Sequence, residues 1–279
     1  WLGAGPRGAA ALYGRPDLDR RPLMGLRILI TNDDGVDAPG IAIMQAIAAQ
    51  ISDDVWTVAP DSNQSGAGHR FTLRRELAVD QRAARVFAIT GGSPADCVAT
   101  GMTHILGDRP ADLVLSGVNA GQNLGDIIHA SGTAAGAREG GLQGAIAIAM
   151  SQAIDYEEGR DIAWDNAARH GAATVRAILA AHEEGDVYYN VNFPTCPPDE
   201  VTGIAVVAHQ RFSRSPFRYY ASQNEGKFFV AIPETPLPLT REHDFEVMRK
   251  DNAITVTPLL LQQTDMDAVA RMQGTLGLE

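Results

Sequence analysis

The segment Ile28-Leu29-Ile30-Thr31-Asn32-Asp33-Asp34-Gly35 carries two adjacent carboxylates to the end of a short apolar run. Ionised neighbours repel unless a cation lies between them, so the pair suggests a hard divalent metal with oxygen ligands. A solvated Asp-Asp-Gly turn is the competing reading. Further oxygen-bearing clusters follow at Asn63-Gln64-Ser65-Gly66, Ser116-Gly117-Val118-Asn119 and Ser131-Gly132-Thr133. Two carboxylates, a hydroxyl and an amide carbonyl make a suitable partial shell for one Mg²⁺, Mn²⁺ or Ca²⁺ per subunit, completed by water. A helix is expected to begin near Ser131, so the backbone N–H groups of Ser131, Gly132 and Thr133 are placed to hold a phosphate.

These residues meet only if strands carry them to one edge. The apolar runs 28–30, 55–59, 113–115 and 145–150 suit strands covered on both faces, and 187–193 reads as the last strand of the alternation. Pro39 opens a helical pattern, and Ser93 caps a helix with Pro94 at its first position, running to about Leu106. Further helices are predicted over 133–141 and 161–182. Residues 71–79 and 86–89 read as extended, and 116–131 as a long loop rich in Gly and Asn.

Such alternation predicts an α/β protein with a doubly wound, mostly parallel, Rossmann-like sheet over about residues 25–193. Loops that follow the strands of such a sheet converge along its carboxyl edge. Beyond Phe193 prolines recur, short extended pieces appear at 203–209 and 227–232, and aromatics cluster in Phe217-Arg218-Tyr219-Tyr220. C-terminal β-hairpin and helical arm extensions are expected there, of a kind that exchanges between subunits. The expected organisation is therefore a catalytic core over 24–193 and an extension over 194–279. Residues 1–23 lack the apolar core of a secretory signal and are expected to be a poorly ordered leader ahead of a start at Met24.

A formal charge of −11 argues against long nucleic acid as a partner, because such binding needs a basic footprint. Small phosphorylated ligands stay open, since a bound metal and helix N-termini supply local positive potential. No apolar stretch approaches the ~20 residues that span a bilayer, so no membrane partner is expected. Cys97 and Cys196 make neither a disulfide framework nor a thiolate site, which points to a cytoplasmic home.

Five collinear motifs resemble the survival protein SurE family: Ile30-Thr31-Asn32-Asp33-Asp34-Gly35, Ala59-Pro60-Asp61-Ser62-Asn63-Gln64-Ser65-Gly66, Gly92-Ser93-Pro94-Ala95-Asp96-Cys97-Val98, Ser116-Gly117-Val118-Asn119 and Ser131-Gly132-Thr133. A weaker echo, Ile254-Thr255-Val256-Thr257-Pro258-Leu259, extends the match toward the C-terminus. The resemblance implies a metal-dependent nucleotidase releasing phosphate from nucleoside 5′- and 3′-monophosphates, with exopolyphosphatase activity in some members. It also implies stationary-phase survival as the setting and a homodimer or homotetramer built through C-terminal arms. Carried over by position, the metal ligands are Asp33, Asp34, Ser65 and Asn119. Catalysis falls to Asp33, Asp34 and Asn119, and phosphate contacts to Ser65, Gly66, Asn119, Ser131, Gly132 and Thr133. Ala130 stands where the family usually has an aromatic, Ile127 where an acidic residue is common, and Asp244 matches a recurring acid of the arm.

For the reaction itself, a metal-polarised water with Asp33 or Asp34 accepting its proton and direct attack by Asp33 are both open. His69, four residues beyond Ser65, and His129 are candidate substrate or acid residues. Phe217, Tyr219 and Tyr220 could stack on a base or pack between subunits. Gly91-Gly92-Ser93-Pro94-Ala95 faintly resembles the nucleophile elbow of a serine hydrolase, although a helix cap explains the same residues. No Gly-rich fingerprint supports a dinucleotide oxidoreductase. A nucleotide- or polyphosphate-binding module is the non-enzymatic rival.

Overall fold

Strand β1 (Arg27–Thr31) is fully buried beyond its first residue and feeds both layers of the core. Ile28 and Ile30 pack on one face of the sheet, Leu29 on the other, as the two-residue period of a strand requires. The computed structural model describes residues 25–107, 109–155, 162–231 and 238–276. The expectations for residues 1–23, and for Asp161 and Ile232 at the ends of predicted elements, lie outside the described residues.

After β1 come α1 (Pro39–Ala49), β2 (Asp54–Pro60), β3 (Ala78–Ala83), β4 (Val86–Thr90) and α2 (Pro94–Thr100). The chain continues through β5 (Leu113–Ala120), α3 (Gly132–Leu142), β6 (Ile146–Gln152), α4 (Asp165–Ala181) and β7 (Val187–Phe193). The remaining elements are β8 (Ile204–Val206), β9 (Arg218–Ala221), β10 (Phe228–Ala231), α5 (Asp244–Asp251), β11 (Ile254–Leu260) and α6 (Met266–Leu276).

Nine strands form one sheet in the order β3-β4-β2-β1-β5-β6-β7-β11-β8, parallel except at the β3–β4 and β7–β11 pairs. Helices α1 and α4 pack on the face of Ile28 and Ile30, α2 and α3 on the face of Leu29. The fold is the doubly wound α/β sheet expected. β8 and β11 draw residues beyond Phe193 into that same sheet, while β9 and β10 pair as a separate antiparallel hairpin.

The strand order reverses between β1 and β5, the switch point at which open α/β sheets bind ligands. A stripe of glycines sets α3 tightly against it. A Cβ on Gly132 would lie 2.7 Å from the Asp33 Cβ, one on Gly136 2.7 Å from the Ser116 Oγ, and one on Gly140 2.6 Å from the Val114 Cβ. Spaced four apart on one helix face, they let the α3 backbone approach the strands and press its N-terminus onto Asp33.

Four expectations differ from the structure. Residues 71–77 are not a strand: Thr72 is tied through its N–H and its hydroxyl to Asp96, so the chain crosses the start of α2 before β3 begins. The predicted loop at 116–131 starts later, because Ser116–Ala120 continue β5. Gly117, at φ +132°, lies where a Cβ would meet the Met150 carbonyl oxygen at 2.2 Å, and a register shift follows before Asn119 pairs with Ser151. The helix opened by Ser93 becomes a π-turn at Gly101–Ile105, and α4 begins at Asp165, with 162–164 ahead of it not helical.

Candidate active site

The turn after β1 is held by Asn32. Its amide donates to the Gly35 carbonyl (2.9 Å) and its Oδ1 accepts the Gly35 N–H (3.1 Å), a side-chain-closed turn that Gly35 completes at φ +111°. Asp33 and Asp34 project from this turn. Asp33 is buried; its Oδ1 accepts the Thr133 hydroxyl at 2.6 Å and its carbonyl accepts the Gln64 N–H at 2.7 Å. Asp34 is half-buried, taking the Ala120 N–H on Oδ2 (3.1 Å) and the Asn63 amide on Oδ1 (3.2 Å). Asn63 also accepts the Ser65 N–H at 2.9 Å, so one amide couples the second carboxylate to the Ser65 loop.

Four separate stretches therefore meet at one rim: Asp33 and Asp34 after β1, Asn63–Gly66 after β2, Asn119 and Ala120 ending β5, and Gly132 and Thr133 opening α3. Asn119 spends its amide on the Gly121 carbonyl (2.7 Å), which leaves its Oδ1 as a donor atom for a ligand. Ser65 and Gly66 are exposed at the mouth. The Ser131 hydroxyl caps α3 by accepting the Ala134 N–H (3.0 Å), and its own N–H is taken by the Ile128 carbonyl (3.1 Å). Of the expected N–H groups, then, those of Gly132 and Thr133 are the ones without an intrahelical acceptor.

Burial is the main reason the Asp33 carboxyl is pushed up to about 6; the nearby Asp34 charge adds to it and the Thr133 hydrogen bond opposes it. Burial likewise raises Asp34, against the Ala120 N–H and Asn63 amide. No Lys, Arg or His among the described residues forms an ion pair with either carboxylate. Nor do three or more His, Cys, Asp or Glu side chains gather among the described residues in a way that could hold a metal. The rim thus offers two uncompensated carboxylates with neutral oxygens around them, a donor set that fits a hard cation and not a zinc-type site.

Other candidates lie elsewhere. His69 pairs with buried Glu139 (2.9 Å) and borders a different cavity, on the far side of the α3 N-terminus. His129 opens onto the same cavity, 3.9 Å from Asp126. Tyr219 and Tyr220 belong to the exposed hairpin, where Tyr220 stacks on Phe229. Ser93 is a helix cap: its hydroxyl accepts the Asp96 N–H and donates to the Arg70 carbonyl, which accounts for it without nucleophilic chemistry. Asp244 is buried and accepts the N–H groups of Gly125, Gln210 and Phe245, so it ties the arm to the loop after β5. Burial raises its carboxyl, and those three bonds oppose the shift.

Sequence reading placed Asn63 in an oxygen-bearing cluster without a role of its own, and did not single out Asn123. Asn123 donates to the Ser151 Oγ (2.9 Å) and, at 3.5 Å, to the Thr133 Oγ1, while its carbonyl accepts the amides of Asn190 and Asn192. The visible signal was the pair of asparagines in β7, polar residues inside an otherwise apolar strand.

The sheet and its rim define a Rossmann-like α/β protein with an oxygen-lined site at the switch point. The chain belongs to the SurE family: the profile described as "Survival protein SurE" matches residues 28–215. It is 42% identical over 256 residues to the protein named 5′-nucleotidase SurE of Methylobacterium nodulans, covering 90% of this chain and 100% of that one. Against the 5′-nucleotidase SurE of Brucella canis the identity is 40% over 259 residues, covering 91% and 100%. The crystal structure of the SurE protein from Aquifex aeolicus matches with a TM-score of 0.77 at 30% identity, covering 89% of this chain and 98% of that chain.

Proposed function

We propose that the protein is a 5′-nucleotidase that hydrolyses nucleoside monophosphates, 3′ as well as 5′, to nucleoside and phosphate, and that short polyphosphate is a further substrate. The names of its relatives support the nucleotidase activity. The observation that carries the reading is the convergence of Asp33 and Asp34 with the open N-terminus of α3.

Asp33, Asp34, Ser65 and Asn119 would hold one divalent cation. Bound there, a divalent cation supplies charge neutralisation at the phosphoryl oxygens and makes a neighbouring water more acidic. The chain's own residues do the rest. The Gly132 and Thr133 N–H groups, at the positive end of α3, donate to phosphoryl oxygens as negative charge builds on them. Asp33 Oδ2, which accepts nothing from another residue among the described ones, is the oxygen left to take the proton of an attacking water. Thr133 fixes the other oxygen of that carboxylate and so orients it. A cavity of about 350 Å³ beside Asp34, walled by Pro39, Gly40, Ile162 and Trp164, offers the nucleoside a largely apolar place. The exposed aromatics of the hairpin, Tyr219 and Phe228 among them, support a homodimer or homotetramer built through the arm.

Phosphate release from 5′- and 3′-nucleoside monophosphates and from tripolyphosphate, with Mg²⁺, Mn²⁺ or Ca²⁺ and with chelator, tests the reading. Release from a monophosphate that chelator abolishes and the ion restores is expected. Full activity in chelator, or none with any ion, refutes it. No helix of the described residues is long and apolar enough to cross a membrane, so the assay runs without detergent.

A further inference from the structure

A second cavity lies over α3, on the other side of its N-terminus from the acidic pair. It has a volume of about 760 Å³, with His69, His129, Arg138, His209 and Arg211 along its walls and Pro258 and Leu259 beneath. Asp126 and Asp265 line it as well. Ser131 lines it, while the next two residues, Gly132 and Thr133, face Asp33, so the two places adjoin across a single helix end.

The acids at this cavity are already engaged. Asp126 accepts the Phe212 N–H (2.7 Å) and lies 3.5 Å from His209 and 3.9 Å from His129. Glu139 holds His69 and the Gln143 amide, and Asp265 accepts the Ala268 N–H at the start of α6. Arg138 is different. It is half-buried, reaches only the His69 Nδ1 (3.4 Å) and the Leu261 carbonyl (3.3 Å), and its buried Nε has no hydrogen-bond partner. No carboxylate among the described residues stands within ion-pair distance of Arg138 or of exposed Arg211. Holding a guanidinium away from water without a counter-charge is costly, and its planar fork matches phosphate oxygens.

We infer that this cavity is a binding site for linked phosphates, inorganic or carried on a nucleoside, with Arg138 as its fixed cation and Arg211, His129 and His209 at its mouth. A volume of this size admits several phosphate groups. A chain seated there reaches past Ser131 toward the N–H groups of Gly132 and Thr133, so its terminal phosphate arrives at the acidic rim. The inference rests on the proposed function for the place of the reacting phosphate, whereas binding in the cavity needs no turnover.

Calorimetry of the full chain in chelator, with tripolyphosphate as the probe, tests it. Wild-type and Asp33→Asn proteins should bind alike, or the variant more tightly, because Asp33 lies outside the cavity. Arg138→Gln should weaken binding at least about tenfold, and the surface double variant Arg211→Ala/His129→Ala by about threefold or more, as expected for losing charge-assisted contacts. ADP binding with the same dependence extends the site to nucleoside-borne phosphates; tripolyphosphate binding without ADP binding assigns it to the inorganic chain. Absence of tripolyphosphate binding, or binding that neither variant weakens, overturns the inference. Where Arg138→Gln fails to fold, the surface variant decides alone. If no monophosphate is hydrolysed with any ion, the nucleotidase reading fails while these titrations still stand; hydrolysis of AMP with titrations indifferent to both variants rejects the cavity alone.

Discussion

Thr133 donates its hydroxyl to Asp33 Oδ1 at 2.6 Å, joining the first turn of α3 to the end of β1 across 100 positions of sequence. An ionised carboxylate can only accept, and a longer contact from below, at 3.5 Å, agrees with that direction. Asn123 aims its amide at the Thr133 oxygen, which leaves the Thr133 proton for the carboxylate, and Asn190 and Asn192 fix Asn123 in turn. Asp33 is thus oriented by a polar chain running under the site into β7.

Thr133→Val keeps the shape of the side chain and deletes the hydrogen bond. A bond to a charged acceptor contributes about 1.5–3 kcal/mol, so kcat/KM for a nucleoside monophosphate should fall about 10- to 100-fold. The melting temperature should fall only modestly, since Asn123 keeps its Ser151 contact. Steady-state kinetics beside a thermal melt reads both numbers. Unchanged turnover would show that Thr133 does not orient the carboxylate.

Asp33→Asn separates activity from stability. The Asp33 carboxyl, at about 6 chiefly through burial, binds its proton more tightly in the folded chain than in the unfolded one. Its ionised form therefore weakens the fold as pH rises from the ordinary Asp range through about 6, and that cost is fully present at pH 7. An asparagine removes the charge while its Oδ1 still accepts from Thr133. The variant should lose phosphate release in Mg²⁺ or Mn²⁺ and melt higher than wild type when both are metal-free at pH 7. A lower melting point would mean that the charge is compensated by something other than a bound cation.

What the sequence made legible was whatever is local. The apolar run of 28–30, the cap at Ser93 and the Ser-Gly-Thr that opens α3 each declare their element within a few residues, and the alternation of such elements yields the doubly wound sheet. Ser116-Gly117-Val118-Asn119 misled because Gly and Asn signal a loop, whereas parallel pairing to β6 holds them in the strand and brings Asn119 to the rim. Asn123 and Arg138 stayed hidden for another reason. Each acts through residues far away in the chain, and the missing counter-charge of Arg138 is a property of its surroundings, with no local signal. Asp244 was visible as an acid, but nothing in sequence shows that three backbone N–H groups occupy it.

The glycine stripe of α3 gives opposite outcomes for one kind of substitution. In an exposed helix Gly→Ala stabilises by roughly 1 kcal/mol. At Gly136 the added methyl would sit 2.7 Å from the Ser116 Oγ and 2.9 Å from the Thr31 Cγ2, both on buried strand residues. Overpacking of that kind costs about 1–3 kcal/mol and outweighs the helical gain. Gly136→Ala should therefore destabilise and push α3 away from Asp33, lowering turnover as well. Gly274→Ala in α6, where a Cβ meets nothing within 4 Å, should stabilise slightly. Denaturant unfolding of the two variants compares them directly, and equal effects would remove the close approach of α3 as the cause.

Asp54 gives a pH dependence of the other sign. Burial pushes its carboxyl up, but hydrogen bonds from Arg27 (2.8 Å) and the Trp56 indole (2.9 Å), with the charges of Arg27 and Arg85, outweigh it and hold it below the usual range. A carboxyl lowered on folding stabilises the chain above its unfolded pKa of about 3.9 and loses that contribution as pH falls through the folded value. The difference in unfolding free energy between wild type and Asp54→Asn should be constant near neutrality and shrink as the solution is acidified below the ordinary Asp range. Other titrating groups cancel in that difference. Because Arg85 is well exposed, salt should reduce the neutral-pH difference without removing it, the inner Arg27 bond being the better shielded part. A difference indifferent to pH would place the role of Asp54 in packing against Trp56 rather than in its charge.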